Sequence, residues 1–519
     1  MSLTSMYFVL FILILLPVYY LVPQKIRWYV LLVASIIFYL FSGWTNIFYV
    51  LGVTAVAYLA TIKMQKHTDA QKDYLAANKD KLSRDEKKAY KAEVKKKNKN
   101  VMLIAVVLIA AVLVFFKLLS PVNKVLTAKN ITAVDIIVPL GLSYFSLQTI
   151  GYIVDVYWNK VTAEKNPLKL LLFVSFFPQV TQGPISDFNT LRDELFRAHT
   201  FTYENYSRGF QRLIWGYFKK LVIADIMAPY VSDLFANYKE YTGITLILGM
   251  FVIMIQLYAD FSGYMDIVCG ICEMLDIKLS ENFERPFFSK SLAEFWRRWH
   301  ITLGAWFRKY IFFTVGTSRL AKKISKNVKG DTGDKLVSTI ALLVIWTTIG
   351  AWHGLNLNYV LWGLASGIIM IISVWLEDFY AKCREKLHIK DESKLFNLFR
   401  MVRTFALVSA LETFSDAGSF YHGCKYFLCM LSNIKSIPHS LWTLVPFADN
   451  EYYLILLFLS VGLVFIVEMH EYKKPFRDYF NKIPMPIRVF ILAAMFILLG
   501  SFGLQANIAN DGGFLYAVF

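Results

Sequence analysis

The chain has 519 residues, 56% of them hydrophobic and only 18% charged, with a mean hydropathy of +0.46. A soluble protein of this length divides into several domains and carries more charge, so that class is excluded in favour of a polytopic all-α membrane protein, one integrated domain over 1–519. The formal charge of +17, from 55 basic and 38 acidic residues, falls mostly between apolar runs. Membrane topology imposes that pattern, so a lipid bilayer is the expected partner and nucleic acid is not.

In chain order, 1–22 has neither a basic leading region nor a small-residue cleavage site, and is expected to be a first span rather than a removed signal. Crossing a hydrocarbon core of about 30 Å takes roughly 20 apolar residues. Candidates are 5–22, 28–42, 46–63, 101–120, 136–158, 167–183, 210–232, 243–272, 336–352, 356–376, 400–412, 417–434, 452–469 and 486–505. Several are short or carry Gly and Pro, so about eleven spans are expected, with re-entrant or interfacial helices besides. Between the third and fourth candidates, 63–100 is rich in lysine, ending in KKAYKAEVKKKNKN. It reads as a solvated, partly helical basic loop on the cytoplasmic side, and the basic stretches 319–335, 382–394 and 473–488 point to the same side.

Polar residues interrupt the apolar segments at Gln148, Asp155, Gln179, Gln182, Asp260, Ser262 and Asp266. They read either as glue between helices or as groups that orient a base or bind a sugar hydroxyl. The five cysteines form no framework. Cys269 and Cys272 make a C-x-x-C on an apolar helical segment without a second pair, and read as small buried hydrophobes rather than a metal or redox site.

At 284–316, Arg285-Pro286 is expected to break any helix before residue 286. Beyond it Phe295, Trp296, Trp299, Trp306 and Phe307 alternate with Arg297, Arg298, Arg308 and Lys309. Such an amphipathic helix either anchors at the headgroup level or lines the mouth of a cavity for an anionic ligand.

Two histidines stand in this apolar context: His300, closing EFWRRWH, and His353, within Gly350-Ala351-Trp352-His353-Gly354. An intramembrane ionisable residue is a functional hypothesis by default. A ring desolvated by its surroundings stays neutral and basic at one nitrogen. It can take the proton of an alcohol attacking a carbonyl, a role worth about 10²–10⁴-fold. Gly350 and Gly354 would admit a substrate or a neighbouring helix, and Trp352 adds an apolar wall. No G-x-S-x-G, H-E-x-x-H or Walker-type motif competes, and no acid/His set has metal-ligand spacing. Direct transfer between two substrates is therefore expected.

Across most of its length the chain resembles the membrane-bound O-acyltransferase family, in its bacterial branch of alginate and peptidoglycan O-acetyltransferases. The segments that carry the resemblance are VPLGLSYFSLQTIGYIVDVYWNK from Val138, FFPQVTQGPI from Phe176, GYFKKLVIAD from Gly216, LYADFSGYMDIVCGICEMLDIKLSENFERPF from Leu257, EFWRRWHITLGAWFRKYIFF from Glu294 and GAWHG from Gly350. The resemblance implies a ring of helices around a thinned centre, where a cytoplasmic funnel meets an extracytoplasmic one at the essential histidine, matched by His353. The second prominent histidine matches His300. It also implies a bacterial cytoplasmic-membrane enzyme with no bound cofactor, using acetyl-CoA or another acyl thioester as donor substrate. The acceptor is then an extracytoplasmic polysaccharide, or a periplasmic or extracellular partner protein that completes transfer. Arg297, Arg298 and Arg308, with Lys309, suit the donor phosphates; Trp299, Trp352, Asp260 and Gln182 complete the expected funnel.

The chain departs from the branch at Arg308-Lys309-Tyr310, where a base replaces the usual acid, around Leu411-Glu412-Thr413-Phe414, and at the aromatic ending 513–519. Two rivals stand beside acetyl transfer. One is D-alanyl transfer to teichoic acid from an acyl carrier protein; the other is a glycan-lipid transporter using His353 for binding or proton coupling.

Overall fold

A computed structural model describes residues 2–128, 138–328, 330–433, 451–471 and 476–503. The expectations placed on 136–137, 329, 434, 473–475 and 504–519, the aromatic ending among them, lie outside the described residues. The chain forms two compact units, 3–206 with 272–279, and 207–271 with the residues from 280 onward.

In the first unit the helices are α1 (Met6–Leu21), α2 (Arg27–Phe41), α3 (Asn46–Ala77), α4 (Arg84–Ala128), α5 (Leu142–Tyr157), α6 (Pro167–Ser175), α7 (Phe177–Val180) and α8 (Phe188–Phe196). The basic segment 63–100, expected to be partly helical, is helical on both sides of one turn. It is the end of α3 and the start of α4, joined by a turn at 78–83. Lys, Glu and Ala are strong helix formers. Ser83 and Glu86 cap α4 reciprocally, each side chain accepting the other's backbone N–H at 3.2 and 2.8 Å. Glu93 and Lys97 pair one turn apart at 2.8 Å. Solvation thus left the helix intact, since these residues satisfy their backbone internally.

In the same unit, the stretch that follows α8, residues 197–205, is held by Asp276. Its carboxylate accepts from Arg197 Nη1 at 3.0 Å, Thr200 N at 3.1 Å and Asn205 Nδ2 at 2.9 Å. Burial acts to raise this carboxyl, but the Arg197 hydrogen bonds, the Thr200 amide and the guanidinium charge outweigh it and hold it below the ordinary range. Beside it His199 is buried, and desolvation first of all pushes its ring below the ordinary histidine value.

The second unit takes up most of α9 (Tyr203–Tyr217), a π-helical turn Phe218–Ala224, α10 (Asp225–Ala236) and α11 (Gly243–Met274), whose last residues belong to the first unit. There follow α12 (Leu292–Arg298), α13 (Ile301–Phe307), a π-helical turn Arg308–Phe312, α14 (Phe313–Gly316) and α15 (Arg319–Asn327). The rest is α16 (Asp331–His353), α17 (Leu357–Trp375), α18 (Glu377–Lys386), α19 (Lys394–Asp416), α20 (Phe420–Ser432) and the helices Glu451–His470, Phe476–Phe480 and Met485–Leu498.

The described residues contain six helices long and apolar enough to cross a membrane, spanning Gln24–Phe41, Asn46–Ala77, Arg84–Leu119, Gly243–Met274, Asp331–His353 and Leu357–Trp375. Three shorter apolar helices match the candidates at 5–22, 452–469 and 486–505. In the remaining five candidates the described residues are helical but in shorter, interrupted or more polar segments. For instance, 167–183 breaks between α6 and α7 at Phe176, and 210–232 is interrupted by the π-helical turn. The protein is therefore a multi-pass helical membrane protein.

Candidate active site

The segment after α11 folds back on itself before it reaches the first histidine. Phe283 and Trp299 form an antiparallel bridge. Glu284 N donates to Arg298 O at 2.9 Å and Ile301 N to Asn282 O at 3.0 Å. Arg285 adopts φ +50°, the left-handed region, and hands the chain to a 3₁₀ turn at Pro286–Phe288. The expected break before Pro286 is present, and a second break follows. His300 itself sits at φ +46° between α12 and α13, so 284–316 is not one amphipathic helix. A side chain at positive φ is uncommon and costs about 1–3 kcal/mol unless the surroundings hold it there.

Asn282 supplies that hold. Its Oδ1 accepts from Thr302 N at 3.0 Å and Thr302 Oγ1 at 2.9 Å, and lies 3.3 Å from His300 Nδ1. Phe261 meets the His300 ring edge-on at 4.9 Å between centroids. The ring is thus pinned from two sides.

The second histidine ends α16, and the glycines around it serve helix approach. A Cβ on Gly350 would stand 2.5 Å from Tyr359 O of α17, and one on Gly363 would stand 2.4 Å from Trp346 O of α16. Backbone contact at both points lets the two helices meet as small residues allow in membranes. That approach carries Trp362 against the His353 ring, edge-on at 81° with centroids 5.1 Å apart.

His300 and His353 line the same cavity, of about 380 Å³, together with Trp296, Trp299, Trp346 and Trp362. Both rings are deep, 4% and 7% exposed, whereas Arg297 and Arg308, which also line it, are solvent-exposed. The cavity therefore has an aromatic, histidine-bearing interior and two cationic side chains where solvent reaches it. His353 also borders a second space of about 10 Å³, with Tyr359, Trp362, Glu412, Ser415 and Asp416. His353 thus borders two spaces of unequal size, one ligand-sized and one water-sized.

Other residues expected at the site lie elsewhere. Arg298 pairs with Glu294 at 2.7 Å, one turn away on α12, and is not in the cavity lining. Trp352 is one residue from His353, so the helix turns it about 100° away; it packs between the two histidine rings, at 6.4 and 4.9 Å, outside the lining. Asp260 is held by Lys220 Nζ at 2.7 Å, and Lys220 is shared with Asp225 at 2.8 Å. Gln182 is fully buried in the first unit. Sequence reading did not single out Trp362, Trp346, Asn282 or Glu412 as site residues. The signal available was a lone carboxylate in an apolar helix for Glu412; the others reach the histidines only through packing.

A larger cavity, of about 520 Å³, is lined by Arg212, Lys219, Asp266, Glu281, Arg285 and Glu468 among others, and by no histidine. Much of its charge is internally paired: Asp266 accepts from Arg212 at 2.9 Å and from Lys219 at 2.7 Å, and Arg212 also holds Glu281. Asn282, which pins His300, lines it too.

The fold and this site define a class: a multi-pass helical membrane protein with two buried histidines on one aromatic cavity that has cationic side chains at the solvent. The family model of the membrane-bound O-acyltransferases (MBOAT) matches residues 163–414. The chain is 30% identical over 415 residues to the probable alginate O-acetylase AlgI of Pseudomonas syringae pv. tomato, covering 78% of this chain and 70% of that one. It is 29% identical over 309 residues to the peptidoglycan O-acetyltransferase of Helicobacter pylori, covering 54% and 55%. It is 28% identical over 275 residues to the teichoic acid D-alanyltransferase of Bacillus subtilis, covering 52% and 66%. The chain belongs to the membrane-bound O-acyltransferase family, in the bacterial O-acetyltransferase branch, and is an acyltransferase. The transporter alternative finds no support in these likenesses.

Proposed function

We propose that the protein, in a bacterial cytoplasmic membrane, takes an acetyl group from a cytosolic thioester and moves it towards a hydroxyl of an extracytoplasmic polysaccharide, with His353 as general base. One observation carries this reading: both deep histidines line a single cavity whose solvent-exposed lining bears Arg297 and Arg308. The neutral imidazole removes the hydroxyl proton as the oxygen attacks the thioester carbonyl. The C–O bond forms, the C–S bond breaks, and the proton passes to the departing thiolate. The two guanidinium groups suit the phosphates of coenzyme A or of a phosphopantetheine arm on a carrier protein. A volume of about 380 Å³ lies at the small end of ligand sites, enough for the acyl end and part of the arm. His300, pinned by Asn282, supplies a second polar wall near the reacting carbonyl. The acceptor is the glycan itself or an extracellular partner protein that completes transfer.

The likeness to the B. subtilis D-alanyltransferase supports a second reading, in which the acyl group is D-alanyl. Protein reconstituted in vesicles, supplied on one face with acetyl-CoA or a D-alanyl carrier protein and on the other with glycan, tests both. Mass spectrometry of the glycan is expected to read one acetyl per modified sugar, lost in His353→Ala. An alanyl mass would replace the acetyl reading, and acetylation undiminished in the variant would remove His353 from the chemistry.

A further inference from the structure

The short helix α15 (Arg319–Asn327), between α14 and α16, lines none of the cavities described above. At 100° per residue, Arg319, Lys322, Lys323 and Lys326 fall within an arc of about 100°, with Ala321 and Ile324 on the opposite side. All four cations are exposed, the helix holds no acid, and among the described residues none of the four is in an ion pair. Like charges four apart, Arg319 with Lys323 and Lys322 with Lys326, destabilise a helix, and nine residues are too few for a stable one in water. Ser318 caps the first turn, its Oγ accepting from Ala321 N at 3.2 Å. Ala321 is buried, whereas Leu320 and, on α14, Phe313 are each 56% exposed. The helix thus presents a cationic face without counter-charge beside an exposed apolar edge.

Its depth follows from its contact with a spanning helix. A Cβ on Gly333 would stand 2.1 Å from Val328 O, so the end of α15 meets the first turn of α16. The apolar run of α16 begins at Leu336, three residues beyond Gly333, or about 4–5 Å along the helix. The headgroup layer outside the hydrocarbon core is about 5–7 Å deep, and this turn lies within it. The cations of α4 differ: Arg84, Lys88 and Lys91 stand roughly 15–25 Å before the apolar run from Val101, beyond headgroups and a Debye length of about 8 Å. Near α15, Asp331 and Asp378 are both taken up by Lys335, at 2.6 and 3.2 Å. Asp334 lies in the first turn of α16, where the helix dipole favours a carboxylate.

We propose that α15 is a binding site for anionic lipid. Arg319, Lys322, Lys323 and Lys326 take lipid phosphates, while Leu320 and Phe313 enter among the acyl chains. Lysine stems lie along the apolar edge and carry their charge out to the headgroups. Phosphates beside the helix offset the repulsion along it, so lipid and helix stabilise each other. A lipid without net charge supplies the apolar contact but not the counter-charge. The lipid so held lies on the segment that leads from Arg308, in the solvent-exposed lining of the histidine cavity, to α16.

The test is hydrogen–deuterium exchange of the full chain in nanodiscs, read on peptides covering 317–328. Replacing part of the phosphatidylcholine by phosphatidylglycerol is expected to slow exchange of the α15 amides at least about tenfold, since each cation at an anionic surface contributes a factor of roughly five. The slowing should vanish in Lys322→Gln/Lys323→Gln/Lys326→Gln and persist in Lys322→Arg/Lys323→Arg/Lys326→Arg. Exchange of α16 in the same samples reports that the fold is intact, and the substituted side chains are all exposed. Exchange that does not respond to phosphatidylglycerol overturns the proposal. So does equal slowing by inorganic phosphate in discs of phosphatidylcholine alone, which makes the ligand a free anion. Slowing that survives in the glutamine variant assigns the lipid to another surface and overturns it as well.

Discussion

Two regions of the second unit bury titratable groups, and they do it in opposite ways. Around the π-helical turn Phe218–Ala224, Lys220 is clamped between Asp225 and Asp260 at 2.8 and 2.7 Å, all three nearly inaccessible and none lining the histidine cavity. His300, just before α13, and His353, at the end of α16, are as deep, yet each ring borders a space that a ligand can enter. Charge buried for structure finds its counter-charge inside the protein; a base buried for chemistry is aimed at a cavity. Burial alone does not separate the two. The destination of the polar atoms does.

That contrast predicts dissociation between activity and stability. His353→Ala should lower acyl transfer by about 10²–10⁴-fold while the thermal midpoint in detergent barely moves; a protein that unfolds instead would make the ring structural. Lys220→Met should do the reverse, taking the shared cation from two buried carboxylates at a cost of about 3–5 kcal/mol. It is expected as loss of monodisperse protein on size exclusion, with Lys220→Met/Asp225→Asn/Asp260→Asn recovering much of it. Equal stability in the single variant would dissolve the contrast.

A smaller effect is expected where solvent screens the charge. Arg308→Ala should raise KM for the thioester roughly two- to fivefold with kcat unchanged, because an exposed contact contributes up to about 1 kcal/mol. A KM that does not respond, at low and high salt alike, would place donor binding elsewhere.

The smallest effect concerns the first unit. Asp276 has a folded value below the ordinary one, so its contribution is present above about pH 4 and lost as pH falls through the folded value. His199 is also depressed, so the folded form resists protonation and stability declines as pH drops below about 6.5. Both act in one direction: melting in detergent should be lower at pH 4 than at pH 7. Asp276→Asn should narrow that difference by under about 1 kcal/mol, given the partial exposure of Arg197. A difference that does not narrow would place the acid sensitivity elsewhere.

The helices were legible because bilayer thickness and backbone hydrogen bonding leave little choice: an apolar run of the right length becomes a helix. The lysine segment 63–100 was legible as partly helical; how far the helices extend depends on strong helix formers and on the capping of α4 at Ser83. Arg297 and Arg308 stood out because they alternate with aromatics, His300 and His353 because an imidazole is costly in apolar sequence. Asp260 and Gln182 stood out for the same reason but do not line the histidine cavity. A cost visible in one dimension does not say where it is repaid.

By itself, then, the sequence determined the class of molecule, its helices and the residue types from which a base could be drawn, all consequences of local composition and period. Tertiary structure alone decided which of them share a space. The left-handed turn at His300, the glycine-permitted approach of α16 and α17 that brings Trp362 to His353, and the meeting of Glu412 with both depend on contacts between residues far apart in the chain. Packing, not hydropathy, sets those distances.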